Sequence, residues 1–274
     1  SEIHLESPHV KAILLYGPPS SGKTMLSRCI SSECAATFFD LSPKNILGKY
    51  DGSSNNGNQT PFMVRTVFTV AKDMQPSIIY IDEIDKVLGK KKKKKGGNNE
   101  PGNPGRMKNY IVKEINNLKP GDRVLVVGNS RNPGDIEGKS LKLFQKIIYC
   151  TRPDYGSRLE IWRKLVNATS SKLPNDYDLA TLAHMSDGYA SGSIANVIKA
   201  TLTKRRVERV EWHPITVNEF IPPLAKLNPV YEVVNEAYKK FTFGLPATMR
   251  KRAMEDDMAP KSDGDDKKKK KKKG

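Results

Sequence analysis

Cysteine is scarce in this chain, whose 274 residues include only Cys29, Cys34 and Cys150. A small, odd number of cysteines is typical of a reducing compartment, where thiols stay free. Long apolar runs are also missing. The longest, such as residues 77–81 and 124–127, have the length of a strand, whereas a membrane-spanning helix needs about 20 apolar residues. We therefore expect a cytoplasmic protein that does not enter a membrane.

Two further absences narrow the possibilities. The sequence begins at Ser1 without an initiator methionine and has no signal-peptide pattern, so we expect a segment of a longer protein. The four histidines lack the spacing of metal ligands, and we interpret them as ordinary helix or loop residues. The hydrophobic content of 37% is sufficient for a real core, and the length allows one or two domains.

The net charge of +17 is concentrated in two places. Lysine runs at residues 90–95 and 267–273 contain thirteen of the positive charges, and the rest of the chain carries only +4. Because no basic patch is interleaved with aromatic residues, we expect no nucleic-acid binding. The runs themselves should be disordered, because like charges repel. Either they contact an acidic surface or they are solvated tails without a partner.

Strand-like apolar runs alternate with helical patterns up to about residue 150, which is typical of a parallel α/β sheet. Strands are predicted at 12–16, 37–41, 77–81, 124–127 and 146–150, and helices at 22–34, 60–74 and 107–118. After Pro153 only helices are predicted, at 154–168, 178–186, 191–210 and 216–227. Asp178 and Ser191 are candidate N-caps. The loops 52–59 and 89–105 are rich in Gly, Asn and Lys, and we expect mobile surface insertions.

The segment 17–24 reads G-P-P-S-S-G-K-T and matches the phosphate-loop pattern G-x-x-x-x-G-K-[ST] in full. Glycines let successive backbone N–H groups face an anion, and the following helix adds its partial positive charge. A Gly-rich turn that matches by chance is the alternative, but the flanking strand and helix favour the functional interpretation. Lys23 would reach the β- and γ-phosphates of ATP, and the Thr24 hydroxyl would ligate Mg²⁺. The predicted nucleotide-binding residues are Gly17, Pro18, Pro19, Ser20, Ser21, Gly22, Lys23, Thr24 and Met25.

A second motif, I-I-Y-I-D-E at residues 78–83, places two carboxylates at the C-terminal end of a predicted central strand. Ligands bind at this edge of open α/β sheets. We predict that Asp82 holds Mg²⁺ through its water shell and that Glu83 is catalytic, orienting the attacking water. An acidic helix cap is the alternative, and the presence of a full phosphate loop argues against it.

Together, residues 16–24 and 78–85 resemble the AAA family of ATPases, and the resemblance extends over about residues 10–227. It implies an α/β P-loop NTPase fold of the AAA type, with a five-stranded parallel sheet between helices and then a small helical lid domain. ATP and Mg²⁺ would lie between them. The implied domains are a nucleotide-binding domain at 1–153, a lid at 154–227, a helical extension at 228–257 and a disordered lysine-rich tail at 258–274.

Five shorter stretches are similar to IQ-motif- and AAA-domain-containing proteins, a family with a member in the nexin–dynein regulatory complex of motile cilia. These stretches are residues 39–43, 48–50, 75–77, 152–155 and 228–231. The resemblance implies a place in the cytoskeleton of the cilium or flagellum, the axoneme, beside other subunits of that complex and doublet microtubules. Calmodulin would bind only through IQ motifs outside this segment. Acidic tubulin tails become a candidate partner for Lys267 to Lys273.

The sequence departs from the family at the arginine fingers, which motors carry just before the fifth strand. Ser140 and Leu143 stand at those positions. A finger supplied in trans raises the hydrolysis rate by ~10³ to 10⁵. Lys139 and Lys142 are candidate substitutes, but an ammonium lacks the planar fork of a guanidinium.

Two other positions differ from the family. The sensor on the fourth strand usually reads Thr-Asn, and here the segment is Asn129-Ser130, so Asn129 is our second candidate catalytic residue. The pore loop usually reads aromatic–aliphatic–Gly, and here Asp51 follows Tyr50. Tyr50 is more simply interpreted as a packing or surface residue.

Two functions therefore stay open. The first is an ATP-binding regulatory subunit of the axoneme that controls ciliary motility with slow or absent hydrolysis. The second is an active hexameric ATPase that remodels microtubules or protein substrates. The missing arginines and the charge in the pore loop favour the first.

Overall fold

In the computed structural model, residues 9–46, 59–90, 104–169, 178–210, 212–246 and 248–249 are described. Five strands form one parallel sheet in the order β2-β3-β4-β1-β5. They are β1 (Ala12–Tyr16), β2 (Thr37–Asp40), β3 (Ser77–Ile81), β4 (Val124–Ser130) and β5 (Lys146–Tyr149). The predicted five-stranded parallel sheet is confirmed, and β4 continues past the predicted Val127 to Ser130.

The C-terminal ends of the strands lie at one edge of the sheet because neighbouring strands run parallel and their last residues pair at or near the end of the adjacent strand. Tyr16 at the end of β1 pairs with Ser130 at the end of β4, and Ile81 at the end of β3 pairs with Gly128. All five residues of β3 are buried, as expected for a central parallel strand covered on both faces. This edge is where residues 17–24 and the carboxylates of the second motif emerge.

Helices cover both faces of the sheet. They are α1 (Lys23–Glu33), α2 (Pro43–Ile46), α3 (Thr60–Asp73), α4 (Ile84–Val87), α5 (Lys108–Asn116) and α6 (Gly138–Leu141), with 3₁₀ turns at Pro104–Met107 and Pro133–Asp135. Phe68 of α3 and Ile111 of α5 belong to the large apolar cluster on one face. Ile30 of α1 packs on the opposite face, against Leu15 and Ile78.

A helical segment follows the sheet and has an apolar cluster of its own. Its elements are α7 (Tyr155–Thr169), α8 (Leu179–Met185), α9 (Ser191–Thr201), α10 (Lys204–Glu208), a 3₁₀ turn (Val217–Phe220), α11 (Ile221–Ala225) and α12 (Glu232–Phe243). Trp162 is fully buried at the centre, edge-on to Phe220, and its indole N–H donates to Ser186 Oγ at 3.0 Å. The arrangement satisfies the one polar atom of a large buried side chain.

Three predictions for this segment need correction. The helix predicted over 191–210 is two helices, because the chain turns after α9 so that both Leu202 and Val210 enter the apolar cluster. The helix predicted over 216–227 begins as a 3₁₀ turn, where Thr216 and Glu219 form a capping box. The N-cap position of α9 is Ala190, so the prediction of a Ser191 cap is wrong, because Ser191 is already helical.

Of the remaining structural predictions, the Asp178 cap is confirmed, and several others concern residues outside the described part of the chain. Asp178 caps α8 by accepting from the Thr181 N–H at 3.0 Å, as predicted. All three cysteines are free. Pore-loop residues 50–52, the loop 52–58, residues 91–103 and the tail from 250 onward lie outside the described residues. Of the helices that are described, none is both long and apolar enough to cross a membrane.

By contacts, the described residues fall into two units, one up to Asn235 and one from Glu236 onward. Within the first unit, the apolar clusters of the sheet and of the helical segment do not share residues. The boundaries predicted at 153, 227 and 257 remain predictions.

Candidate functional site

The loop between β1 and α1 has a backbone that depends on glycine. Gly17 has φ 147° and Gly22 has φ 89°, both values that side chains disfavour. A Cβ atom on Gly17 would lie 2.3 Å from the Cys150 carbonyl oxygen, so the loop passes directly over the end of β5. Gly22 occupies the N-cap position of α1, and no side chain caps that end. The first N–H groups of α1 are therefore available to an anion, and the loop fits a phosphate group.

Lys23 folds back into this loop. Its Nζ donates to the carbonyl oxygens of Gly17 at 2.9 Å and Pro18 at 2.7 Å, and to Ser21 Oγ at 3.2 Å. The residue is only 8% exposed, and this burial lowers the pKa of Lys23 to about 8. The loop therefore encloses the Lys23 ammonium.

Thr24 belongs to a short hydrogen-bonded chain across the sheet edge. Its Oγ1 lies 3.0 Å from the Tyr80 hydroxyl, which accepts from Asn129 Nδ2 at 2.8 Å. Burial raises the pKa of Tyr80 to about 12, so this hydroxyl keeps its proton. The predicted catalytic residue Asn129 is 1% exposed, and its amide contacts Tyr80. Its catalytic role stays a prediction.

Asp82 lies at the end of β3, as its position in the motif predicts. Its Oδ1 accepts from the Glu83 N–H at 3.0 Å, and its own N–H donates to Ser42 Oγ at 2.9 Å. Among described residues, no three His, Cys, Asp or Glu side chains form a potential metal cluster. Mg²⁺ beside a nucleotide takes one or two protein oxygen ligands and keeps several waters. The oxygens of Thr24 and Asp82 fit that requirement.

Glu83 is surrounded by positive charge. Its backbone is left-handed, with φ 47°, and its side chain is only 11% exposed. Lys86 Nζ donates to Oε2 at 2.7 Å, whereas Arg131 Nη2 and Lys44 Nζ lie 3.8 Å and 4.0 Å from Oε1. The hydrogen bond from Lys86 lowers the pKa of Glu83 below its usual value. The carboxylate is thus ionised and held by cations on both oxygens.

The helical segment touches the phosphate loop at Ser20, whose backbone is left-handed with φ 61°. The N–H of Gly192, near the start of α9, donates to the Ser20 carbonyl at 2.7 Å. Ser191 Oγ lies 3.5 Å from the same oxygen. A Cβ atom on Gly192 would lie 2.8 Å from it, so only glycine fits this approach.

Comparison with known proteins identifies the family of the chain. Residues 13–152 match the ATPase family associated with various cellular activities (AAA). The chain belongs to the AAA family of ATPases. Members of this family bind nucleotide, typically with Mg²⁺.

Named relatives of this AAA chain come from two groups. It is 36% identical over 252 residues to dynein regulatory complex protein 11 of Mus musculus, a match that covers 90% of the chain and 29% of that protein. It is 35% identical over 187 residues to spastin of Anopheles gambiae, covering 67% of the chain and 21% of spastin. The chain therefore spans less than a third of the length of either relative.

Solved structures support the AAA fold. The FIGL-1 AAA domain in complex with ADP superposes with a TM-score of 0.66 at 27% identity, covering 86% of this chain and 78% of that one. A second structure of the FIGL-1 AAA domain gives a TM-score of 0.67 at 28% identity.

Ser140 and Leu143 occupy the positions that the family resemblance predicted for arginine fingers, and neither carries a guanidinium. Ser140 is 5% exposed in α6, and Leu143 is half-buried just after that helix. Lys139 and Lys142 are exposed, so their ammonium groups face solvent.

Four residues near the site were not predicted from the sequence as site residues: Lys44, Tyr80, Lys86 and Arg131. For two of them the sequence contains a pattern that could have identified them. Lys86 lies three residues after Glu83, a spacing at which side chains meet on a helical turn. Arg131 directly follows β4, so the parallel register brings it to the same edge as the phosphate loop.

Proposed function

We propose that this AAA domain binds ATP with Mg²⁺ and turns it over slowly or not at all. The observation that carries the proposal is the Gly17–Thr24 loop, in which Lys23 is buried among loop oxygens at the mouth of an uncapped helix. A lysine stripped of water interacts strongly with an incoming phosphate, because the local dielectric is low. When a nucleotide binds, the Lys23 ammonium would exchange its hydrogen bonds to the loop carbonyls for hydrogen bonds to phosphate oxygens.

We assign each residue its role from its position at the edge of the sheet. Lys23 and the loop N–H groups bind the phosphates, and Thr24 with Asp82 holds Mg²⁺, which neutralises charge on the phosphate oxygens. Glu83 orients the water whose oxygen attacks the γ-phosphorus. The bond from that phosphorus to the bridging oxygen breaks, and ADP leaves with the electron pair. Ser140 is buried and Leu143 is half-buried at the positions where AAA motors carry arginine fingers. A neighbouring copy of this chain would therefore supply no arginine to the reaction, which supports slow turnover.

We further propose a regulatory place in the ciliary axoneme. The similarity to dynein regulatory complex protein 11, over 90% of this chain, supports it. The partners would be other subunits of the nexin–dynein regulatory complex and doublet microtubules, and the output would be control of ciliary motility. Any calmodulin binding would use elements outside these residues.

The alternative is an active hexameric ATPase that remodels microtubules or proteins, and the 35% identity to spastin favours it. Light scattering across a range of protein concentrations, with and without ATP, distinguishes the two. Assembly into hexamers with ATP would support the alternative, and a chain that stays monomeric would support the regulatory function.

Thermal unfolding with and without ATP–Mg²⁺ tests nucleotide binding. The parent domain should be stabilised by ATP–Mg²⁺, and Lys23→Ala should not, since it removes the buried cation of the loop. Lys113→Ala, which removes an exposed lysine from α5, is the matched control and should respond like the parent. Equal stabilisation of the parent and Lys23→Ala would contradict the assignment.

Lys267 to Lys273 carry a further proposal, which rests on sequence: contact with the acidic tails of tubulin. A run of lysines attracts a polyanion through its summed field without fixed geometry. Salt should weaken the contact, because screening shortens to ~8 Å at physiological ionic strength. Co-sedimentation with microtubules, with and without residues 265–274, should show weaker and less salt-dependent binding after truncation. Identical binding of both forms would leave the run as a solubilising tail.

A further inference from the structure

The Lys86–Glu83 contact is set by the backbone as well as by the side chains. Glu83 is the N-cap residue of α4, and the Lys86 N–H donates to the Glu83 carbonyl at 2.9 Å. That turn brings the Lys86 ammonium to 2.7 Å from Oε2. Lys86 is thus linked to Glu83 twice, once through the main chain and once through the carboxylate.

An ordinary surface ion pair would have little effect, because water competes for both charges. This pair differs, since the Glu83 side chain is 11% exposed whereas that of Lys86 is 57% exposed. The carboxylate has lost most of its water, and among the described residues the cation within hydrogen-bonding distance of it is the Lys86 ammonium. Arg131 and Lys44 approach the other oxygen from farther away, at 3.8 Å and 4.0 Å.

The contact conflicts with the role proposed for Glu83. To orient a water for attack, a carboxylate oxygen must accept a hydrogen bond from that water. Here Oε2 already accepts from Lys86 and Oε1 faces two further cations, so a water must compete with these cations for the remaining lone pairs and for the orientation of the carboxylate. A charge-assisted hydrogen bond of this kind is among the stronger contacts that a carboxylate makes.

We propose that Lys86 is a positioning residue that holds Glu83 away from the attacking water and so keeps ATP turnover slow. The inference rests on the proposed function, because it requires that the domain binds ATP and that Glu83 acts on the water. In this proposal Lys86 has no contact with the nucleotide. It acts through the orientation of Glu83, so it affects the rate of the chemical step and leaves ATP affinity unchanged.

The test is Lys86→Met in the full chain, a change that keeps the length of the side chain and removes its charge. The kcat for ATP hydrolysis should rise about tenfold, the factor that corresponds to losing one charge-assisted hydrogen bond. The ATP dissociation constant, measured by calorimetry, should stay within about twofold of the parent, because uniform binding is untouched. Lys86→Arg, which retains a donor to Oε2, should keep the parental rate.

Three controls assign the effect to this contact. Lys113→Met, an exposed lysine on α5, should leave the rate unchanged. Lys44→Met should give a smaller rise, because Lys44 lies at 4.0 Å without a hydrogen bond. Lys86→Met combined with Glu83→Gln should show no gain.

The possible failures are distinguishable. An unchanged or lower kcat in Lys86→Met, with ATP binding intact, overturns the inference and leaves the proposed function standing. An equal rise in Lys44→Met also overturns it, because bulk charge would then explain the effect. A parent domain that does not bind ATP overturns the proposed function and the inference together.

Discussion

Replacing Gly192 by alanine tests the contact between the phosphate loop and the helical segment. Alanine normally stabilises a helix by about 1 kcal/mol relative to glycine. At this position the added Cβ would lie 2.8 Å from the Ser20 carbonyl oxygen and 3.1 Å from Ser20 Cβ. Those distances are too short, and a backbone oxygen cannot rotate away. The start of α9 must therefore move, and the 2.7 Å hydrogen bond from Gly192 to Ser20 is weakened or lost.

The helix propensity of alanine and the close contact with Ser20 change stability in opposite directions. Their magnitudes decide whether the free energy of unfolding rises or falls. Overpacking costs about 1–3 kcal/mol, and a lost hydrogen bond costs about 1 kcal/mol more. Together these two costs outweigh the helix-propensity gain, so the free energy of unfolding in urea should fall by about 1–3 kcal/mol in Gly192→Ala. The affinity for ATP–Mg²⁺ should fall as well, because Ser20 belongs to the phosphate loop.

Gly156→Ala is the matched control for Gly192→Ala. Gly156 lies in α7, and a Cβ atom there would meet nothing within 4 Å. This variant should gain stability by up to about 1 kcal/mol, as helix propensity alone predicts, and its ATP affinity should be that of the parent. If Gly192→Ala is stabilised like Gly156→Ala, the close approach between Gly192 and Ser20 does not exist in solution.

Three further predictions concern single sites. Gly17→Ala should abolish ATP binding, because its Cβ would lie 2.3 Å from the Cys150 carbonyl oxygen; calorimetry that finds parental affinity would refute this. Glu83→Gln should keep ATP affinity and remove any hydrolysis, as measured by phosphate release, since its carboxylate acts on water rather than nucleotide. Arg206 donates twice to Glu219, at 2.8 Å and 2.7 Å, and holds the pKa of that carboxyl below its usual value. The pair therefore stabilises the fold above the unfolded-state pKa and is lost as the pH falls through the folded-state value. Glu219→Gln should lower the free energy of unfolding by about 1 kcal/mol or less near neutral pH, and a deficit that persists in strong acid would contradict the assignment.

Sequence patterns predicted the sheet well because its strands are short apolar runs between turn signals. The backbone of the Gly17–Thr24 loop was predictable too, because the phosphate-loop pattern fixes residue types at fixed spacing, whereas its nucleotide contacts stay a prediction. Helix boundaries after Pro153 were less predictable. The break between α9 and α10 depends on burying Leu202 and Val210 in one cluster, which no local periodicity reveals.

The surroundings of Glu83 were predictable only in part. Contacts from Lys44 and Arg131 join residues that are distant in sequence, and only the parallel register brings them together. Asn129 was predicted by analogy with the family; it pairs with Leu15 in the ladder between β1 and β4, and its catalytic role stays a prediction. The residue that leaves the strand end and approaches Glu83 is Arg131.

The rate of phosphate release at saturating ATP–Mg²⁺, measured over a wide range of protein concentrations, tests the central claim most directly. An ATP-binding regulatory domain should release phosphate at less than about 1 s⁻¹ per chain. That rate should not change with concentration, because no neighbour supplies an arginine. A rate at or above the ~10 s⁻¹ typical of enzymes, or a steep rise as chains assemble, would contradict the account and favour the hexameric motor.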